Sequence, residues 1–163
     1  MAENNPVAVY CVRIYANVLH QTHHIDESLA VVRRALELDP NHPPTYAVLG
    51  RDLVEKGHFR EAEDAYRKAG QLTPPFQAWI YAREGNITEA RKILNANPSM
   101  VNAHSAVARY LLGDQEAGLA ELDRAADEWQ TKTYLLRSDP LFDPMRNDPR
   151  FTEIVKRTGL LDN

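Results

Sequence analysis

Shifting the chain by 34 residues brings two of its segments into register, and this self-similarity restricts the possible folds more than any other feature. Tyr46, Leu49, Gly50, Leu53, Gly57, Phe59, Ala62, Tyr66, Ala69 and Pro74 fall in order on Val12, Tyr15, Ala16, Leu19, His23, Ile25, Ser28, Val32, Ala35 and Pro40. Each set reads large, small, a turn, then small, large and small again. Small residues at Ala16 and Gly50 let a facing helix come close. Gly57 suits the left-handed conformation that ends a helix, and a proline closes each unit because it opens the next helix readily. Two further units are shorter: Gly57 to Gly85 and Gly85 to Gly113 both span 28 residues, so each connection has lost about one or two helical turns. The third unit has its first helix between Pro75 and Gly85, carrying Trp79 and Tyr81, and returns from Ile87 to about Ala96, stopping at Pro98. The fourth runs from about Ser99 to Leu112, turns at Gly113-Asp114 and returns through Gly118, Leu122 and Ala125.

Between the proline clusters the apolar residues recur at helical spacing, and no run of alternating Val, Ile or Thr suggests a strand, so the chain reads as all-α. With 163 residues, 44% of them hydrophobic, it can bury the core of one domain or of a short repeat array. Lys and Arg number 19 against 23 Asp and Glu, which argues against a dedicated nucleic-acid binder. Cys11 is the sole cysteine, excluding an internal disulfide and a cysteine-based zinc cluster. No apolar run reaches membrane-spanning length, and MAENNPVAVY lacks the basic start of a secretion signal. A cytoplasmic protein without a membrane partner is expected.

The residue order and the 34-residue period resemble the tetratricopeptide repeat (TPR) family, with ten matched places in residues 43–76 and a looser match in 9–42, where His23 replaces the usual Gly. The resemblance implies an α-solenoid: a right-handed superhelical array of antiparallel helix pairs. Residues 1–130 would hold four units, at 9–42, 43–76, about 75–98 and about 99–129. The tail differs. Residues 138–151 read SDPLFDPMRNDPRF, with Asp-Pro at Asp139-Pro140, Asp143-Pro144 and Asp148-Pro149. Asp before Pro is a natural N-cap followed by Pro at the first helical position, so each pair should start a short helix, with Pro144 stopping the first. Asp148 would cap a last helix from Phe151 to Thr158, with Phe151, Ile154 and Val155 inward. This segment resembles the tail of degenerate repeats in bacterial TPR proteins, including TPR regions fused to signalling kinases or transcription regulators. Residues 131–163 are thus expected to cap the array.

The family binds extended or helical peptides on the inner face, lined by the first helix of each unit. Repeat register places Arg13, Asn17 and Gln21 there from the first unit, Arg51 and Glu55 from the second, and Trp79 and Arg83 from the third. Arg13, Arg51 and Arg83 would form a basic stripe for an acidic protein segment, since the arginine fork donates two parallel hydrogen bonds to a carboxylate. Trp79 and Tyr81 would be aromatic anchors. The alternative is a solvated helix face with incidental arginines. One TPR subset grips chaperone C-termini with a five-residue clamp. Arg13 and Asn17 match its first two places, but Val48 stands at the next, and the shortened third unit removes the last two.

The first helix carries a second candidate. Val12, Tyr15 and Leu19 should pack on its partner helix, leaving Cys11, Ile14 and Val18 as an extra stripe where the second repeat has Thr45, Val48 and Asp52. No preceding helix in this chain covers it, so it is expected to be a self-association surface, giving a homodimer, or to be covered by an upstream segment or by the first few residues.

His20, His23 and His24 fit an exposed turn better than a metal site, and no cofactor is implied. Neither a phosphate-cradling loop, a nucleophile elbow nor a zinc-helix motif occurs, and the Asp-Pro carboxylates lack the spacing of a Ca²⁺ loop, so no catalytic residue is expected. The expected function is protein binding on a scaffold. The alternative is a ligand-sensing regulatory domain with a pocket around Trp79 and Tyr81.

Overall fold

A computed structural model describes residues 6–128 and 134–158, and no strand occurs among them. The chain divides into two compact units, Met1–Leu72 and Thr73–Asn163. The first holds α1 (Pro6–Gln21), α2 (Ile25–Leu38), α3 (Pro43–Glu55) and α4 (Phe59–Lys68). The second holds α5 (Pro74–Glu84), α6 (Ile87–Ala96), α7 (Ala103–Leu111), α8 (Gln115–Glu128) and α9 (Tyr134–Ser138), then a 3-10 helix (Pro140–Met145) and α10 (Pro149–Arg157). Helices adjacent in sequence pack in pairs: α1 on α2, α3 on α4, α5 on α6 and α7 on α8. In the first unit α3 also touches α1 and α2, and in the second α7 touches α5 and the 3-10 helix.

All four pairs turn in the same way. His23, Gly57, Gly85 and Gly113 have φ of 63, 76, 83 and 92°. Their N–H groups donate to the carbonyls of His20, Val54, Ala82 and Tyr110 at 3.0–3.3 Å. The next residues, His24, His58, Asn86 and Asp114, donate to Leu19, Leu53, Tyr81 and Arg109 at 2.8–3.0 Å. This is the paired closure of a Schellman motif, which satisfies two of the carbonyls that a helix end leaves orphaned. The same four residues accept, through their carbonyls, the N–H of Ser28, Ala62, Ala90 and Gly118, so the next helix begins at once. His23 holds a conformation that costs a residue with a Cβ roughly 1 kcal/mol.

The shortening of the later units lies in the helices, not in the connections. α2 and α3 have 14 and 13 residues, against 10 and 11 for α4 and α5 and 10 and 9 for α6 and α7. Pro74 opens α5 as expected, but Pro40 stays in the link and Pro43 opens α3. α7 starts at Ala103 rather than near Ser99 because Asn102 and Ser105 form a capping box, each side chain bonding the other's backbone N–H.

The first unit's core centres on Ala16, Val32 and Val48, with Val31, Leu36 and Leu49 against them. Gly50 lets α3 lie against Tyr66 of α4, where a Cβ would stand 2.9 Å from the ring. Tyr15 does not join this core as expected: it is 55% exposed, and Val9, Ala16 and Leu19 provide the inward face of α1. The second unit buries Ile80, Ala106, Val107, Leu122, Phe142 and Met145.

In the tail, Asp139 and Asp148 are N-caps that accept from Leu141 N and Arg150 N. Asp143 is not a cap: Pro144 sits inside the 3-10 helix, and Asp143 pairs with Arg146 at 2.6 Å. α10 starts two residues earlier than expected, at Pro149, and buries Phe151, Ile154 and Val155. The expected boundary at residues 130 and 131 lies outside the described residues.

Asp148 also receives the Arg150 guanidinium at 2.7 Å and the Tyr110 hydroxyl at 3.3 Å. The Arg150 hydrogen bonds dominate and lower its pKa from 3.8 to about 2. The folded value lies below the unfolded one, so its stabilisation is complete above about pH 4 and lost as pH falls towards 2. Asp148→Asn should therefore flatten that part of the melting-temperature profile against pH; a profile as steep as the native one would refute the link.

Candidate partner-binding surfaces

Of the polar residues expected on the inner face, Asn17 and Arg51 meet where α1 touches α3. Asn17 and Arg51 occupy equivalent repeat positions, and the Arg51 Nη2 donates to the Asn17 Oδ1. The Arg13 guanidinium lies 5.1 Å from the centroid of the Tyr10 ring, with its Nε buried and without a hydrogen bond. Both arginines, Asn17, Gln21 and Glu55 are half-buried. Arg51 is thereby braced from one side, which lowers the conformational entropy it would lose on gripping a ligand. Arg83 and Tyr81 are half-buried on α5 of the second unit, so within one unit the arginine set comprises Arg13 and Arg51.

Trp79 is not a surface anchor. It is 1% exposed, and His104 of α7 explains why: its ring lies edge-on to Trp79 at 5.0 Å and stacks on Phe76 at 3.6 Å. With α5, α6 and α7 all shortened, the first turn of α7 covers the position that Arg51 holds in the first unit.

A buried polar cluster in the first unit was not foreseen. Asp52 is 0% exposed and His20 1%, with His20 Nδ1 2.7 Å from Asp52 Oδ1. The Ser28 hydroxyl lies 2.6 Å from Asp52 Oδ2 and 2.9 Å from the Ala16 carbonyl. His20 is therefore a core residue, not part of an exposed turn. The sequence held a signal for it: Asp52 precedes Leu53 and Val54 within one buried run, where a carboxylate needs partners. The three residue types are those of a hydrolytic triad, but the serine lies against the carboxylate and the group is shut from solvent, so the nucleophile–base contact is absent. A similar cluster links Ser105, Arg109 and Glu121 in the second unit, at 3.0 and 2.5 Å. Among the described residues no three His, Cys, Asp or Glu side chains come together to hold a metal, and no helix is long and apolar enough to cross a membrane.

The other expected surface is open. Cys11 is exposed, and Ile14 and Val18 are 38% and 49% exposed. Their counterparts one repeat on, Thr45, Val48 and Asp52, are buried.

Paired helices on four like turns define an all-helical, repeat-like protein. Over 81 residues, 45% of its length, the chain is 35% identical to the chloroplastic PsbB mRNA maturation factor Mbb1 of Chlamydomonas reinhardtii. The match covers 12% of that protein. No family model matches the chain, and no solved structure matches it.

Proposed function

We propose that the chain is a TPR-type α-solenoid without chemistry of its own, a scaffold that holds an acidic segment of a partner protein against the α1–α3 face. The observation that carries the reading is the meeting of Arg51 and Asn17 from successive first helices, beside Arg13. Two fixed guanidinium groups on a rigid face suit carboxylates, and the recurring turn supports a repeat scaffold. Trp79, being core, offers no aromatic wall to the alternative of a small-ligand pocket. The compartment proposed is an aqueous one, the cytoplasm.

The test is a fluorescence-anisotropy titration with a labelled Asp/Glu-rich peptide. Arg51→Glu is expected to weaken binding about tenfold or more with unchanged far-ultraviolet circular dichroism, as loss of a charge-assisted contact implies. Equal affinity of the variant would refute the site. The match to an mRNA maturation factor favours a second reading, in which these arginines meet the phosphates of single-stranded RNA. An RNA oligonucleotide that binds where the peptide does not, with affinity falling steeply with salt, would replace the first reading.

A further inference from the structure

We propose that the outer face of α1 is a homodimer surface on which a second copy of this chain lays its own α1 antiparallel, about a two-fold axis level with the midpoint of Cys11 and Ile14. From Val7 to Gln21 the exposed residues of α1 are Val7, Tyr10, Cys11, Ile14, Tyr15 and Val18. None carries a charge. Their spacing, i, i+3, i+4, i+7, i+8 and i+11, is the stripe by which an amphipathic helix normally enters a core. Here that stripe faces outward: Val7 is 67% exposed, Tyr10 57% and Tyr15 55%. The opposite face, Val9, Ala16, Leu19 and His20, is already buried. α1 thus carries two apolar faces, one buried and one exposed, with the polar side of Arg13, Asn17 and Gln21 between them. The fold also shows this face covered when a neighbour is present, because Thr45, Val48 and Asp52 of α3 are buried at the matching positions.

The order of residues along the stripe selects the occupant. It reads Val, Tyr, Cys, Ile, Tyr, Val with gaps of 3, 1, 3, 1 and 3, so it is symmetric about its centre. Laid antiparallel on a copy of itself, Val7 meets Val18, Tyr10 meets Tyr15 and Cys11 meets Ile14. A two-fold interface pairs residue i with j and j with i, and the symmetric order lets this stripe do so with like residues opposed at Val7–Val18 and Tyr10–Tyr15. The charge pattern agrees. Arg13, the only charged residue of α1, is half-buried and lies beside Tyr10, so the axis brings no exposed like charges together. One helix per copy is a small interface, for which micromolar affinity is expected. This surface borders the α1–α3 polar face at Tyr10, which lies against Arg13, but the proposal rests on the apolar stripe and stands whether or not the polar face binds a peptide.

The experiment is sedimentation velocity on the full chain across a concentration series from about 1 to several hundred micromolar, bracketing the expected affinity. The native chain should pass from monomer to dimer. Ile14→Asp and, independently, Val18→Glu should remain monomeric with unchanged far-ultraviolet circular dichroism, since both sites are exposed. The register is read by mixing the native chain with Cys11→Ser/Ile14→Cys and adding a short bismaleimide. Cross-links between position 11 of one chain and position 14 of the other should outnumber those between two position-11 thiols; the reverse overturns the antiparallel register. A native chain that stays monomeric overturns the proposal. A Cys11 that then resists maleimide would mean that the chain's own first residues cover the stripe, and a reactive Cys11 would leave it to a different protein. Dimerisation that survives both charged variants places the interface elsewhere and overturns it equally.

Discussion

Gly118→Val is expected to destabilise the second unit by about 3 kcal/mol or more, the upper range for forcing bulk into a packed contact. A Cβ at this position would lie 2.6 Å from the Ala106 carbonyl oxygen and 2.9 Å from the Tyr110 backbone nitrogen. Both are main-chain atoms of α7, so no rotamer change relieves the contact and the two helices must separate. Separation would open the packing of Ala106, Val107 and Leu122. At roughly 2–4 °C per kcal/mol for a chain of this size, the melting temperature should fall by about 10 °C. Gly113→Ala is the control: nothing lies within 4 Å of the added atom, and its cost is the left-handed backbone alone, roughly 1–2 kcal/mol. A valine variant that melts within about 2 °C of the native protein would show that α7 and α8 are not in backbone contact.

His20→Leu and Asp52→Leu should each cost about 3–5 kcal/mol, because each leaves a desolvated polar group without a main partner. In His20→Leu, Asp52 keeps the Ser28 hydroxyl, one hydrogen bond for a fully buried carboxylate; Asp52→Leu removes the carboxylate that His20 and Ser28 share, leaving Ser28 its bond to the Ala16 carbonyl. The double variant His20→Leu/Asp52→Leu should recover much of the loss, since replacing both members of a buried pair by apolar residues is often close to neutral. Denaturant titrations of the four proteins close a double-mutant cycle, with a coupling energy of about 2 kcal/mol or more expected. Additive losses would mean that the two side chains act on the fold separately.

These two sites differ in how far the sequence exposed them. The turns were legible because the left-handed conformation leaves few residue types, and Gly57, Gly85 and Gly113 mark it directly. His23 was legible only through the repeat, which aligned it with Gly57. Helix α6 follows its sequence reading, Ile87 to Ala96, since Asn86 and Pro98 bracket it. The start of α7 was misplaced because Pro98 is the louder signal, yet the Asn102–Ser105 hydrogen bonds decide it. Trp79 was placed on the surface by register alone. Register says which face of α5 a residue occupies, not that the shortening of α6 and α7 brings His104 over that face. The pairing of His20 with Asp52 depends on two residues 32 apart meeting inside a core, and a sequence without contacts shows only that Asp52 is misplaced among apolar neighbours. Cys11, Ile14 and Val18 were legible as a stripe, but not that Tyr10 and Tyr15 extend it into a symmetric one, because Tyr15 was assigned to the core.

The identical turn at residues 23, 57, 85 and 113 also bears on how the chain reaches its fold. Each hairpin joins two helices through a link of two or three residues, so the entropy of closing it is small and the closure itself takes well under a microsecond. The heaviest packing is between helices consecutive in sequence, and no pair has to wait for a distant segment. A ribosome releasing this protein from its N-terminus would therefore hand over one closable hairpin after another, each able to close while the rest is still being made.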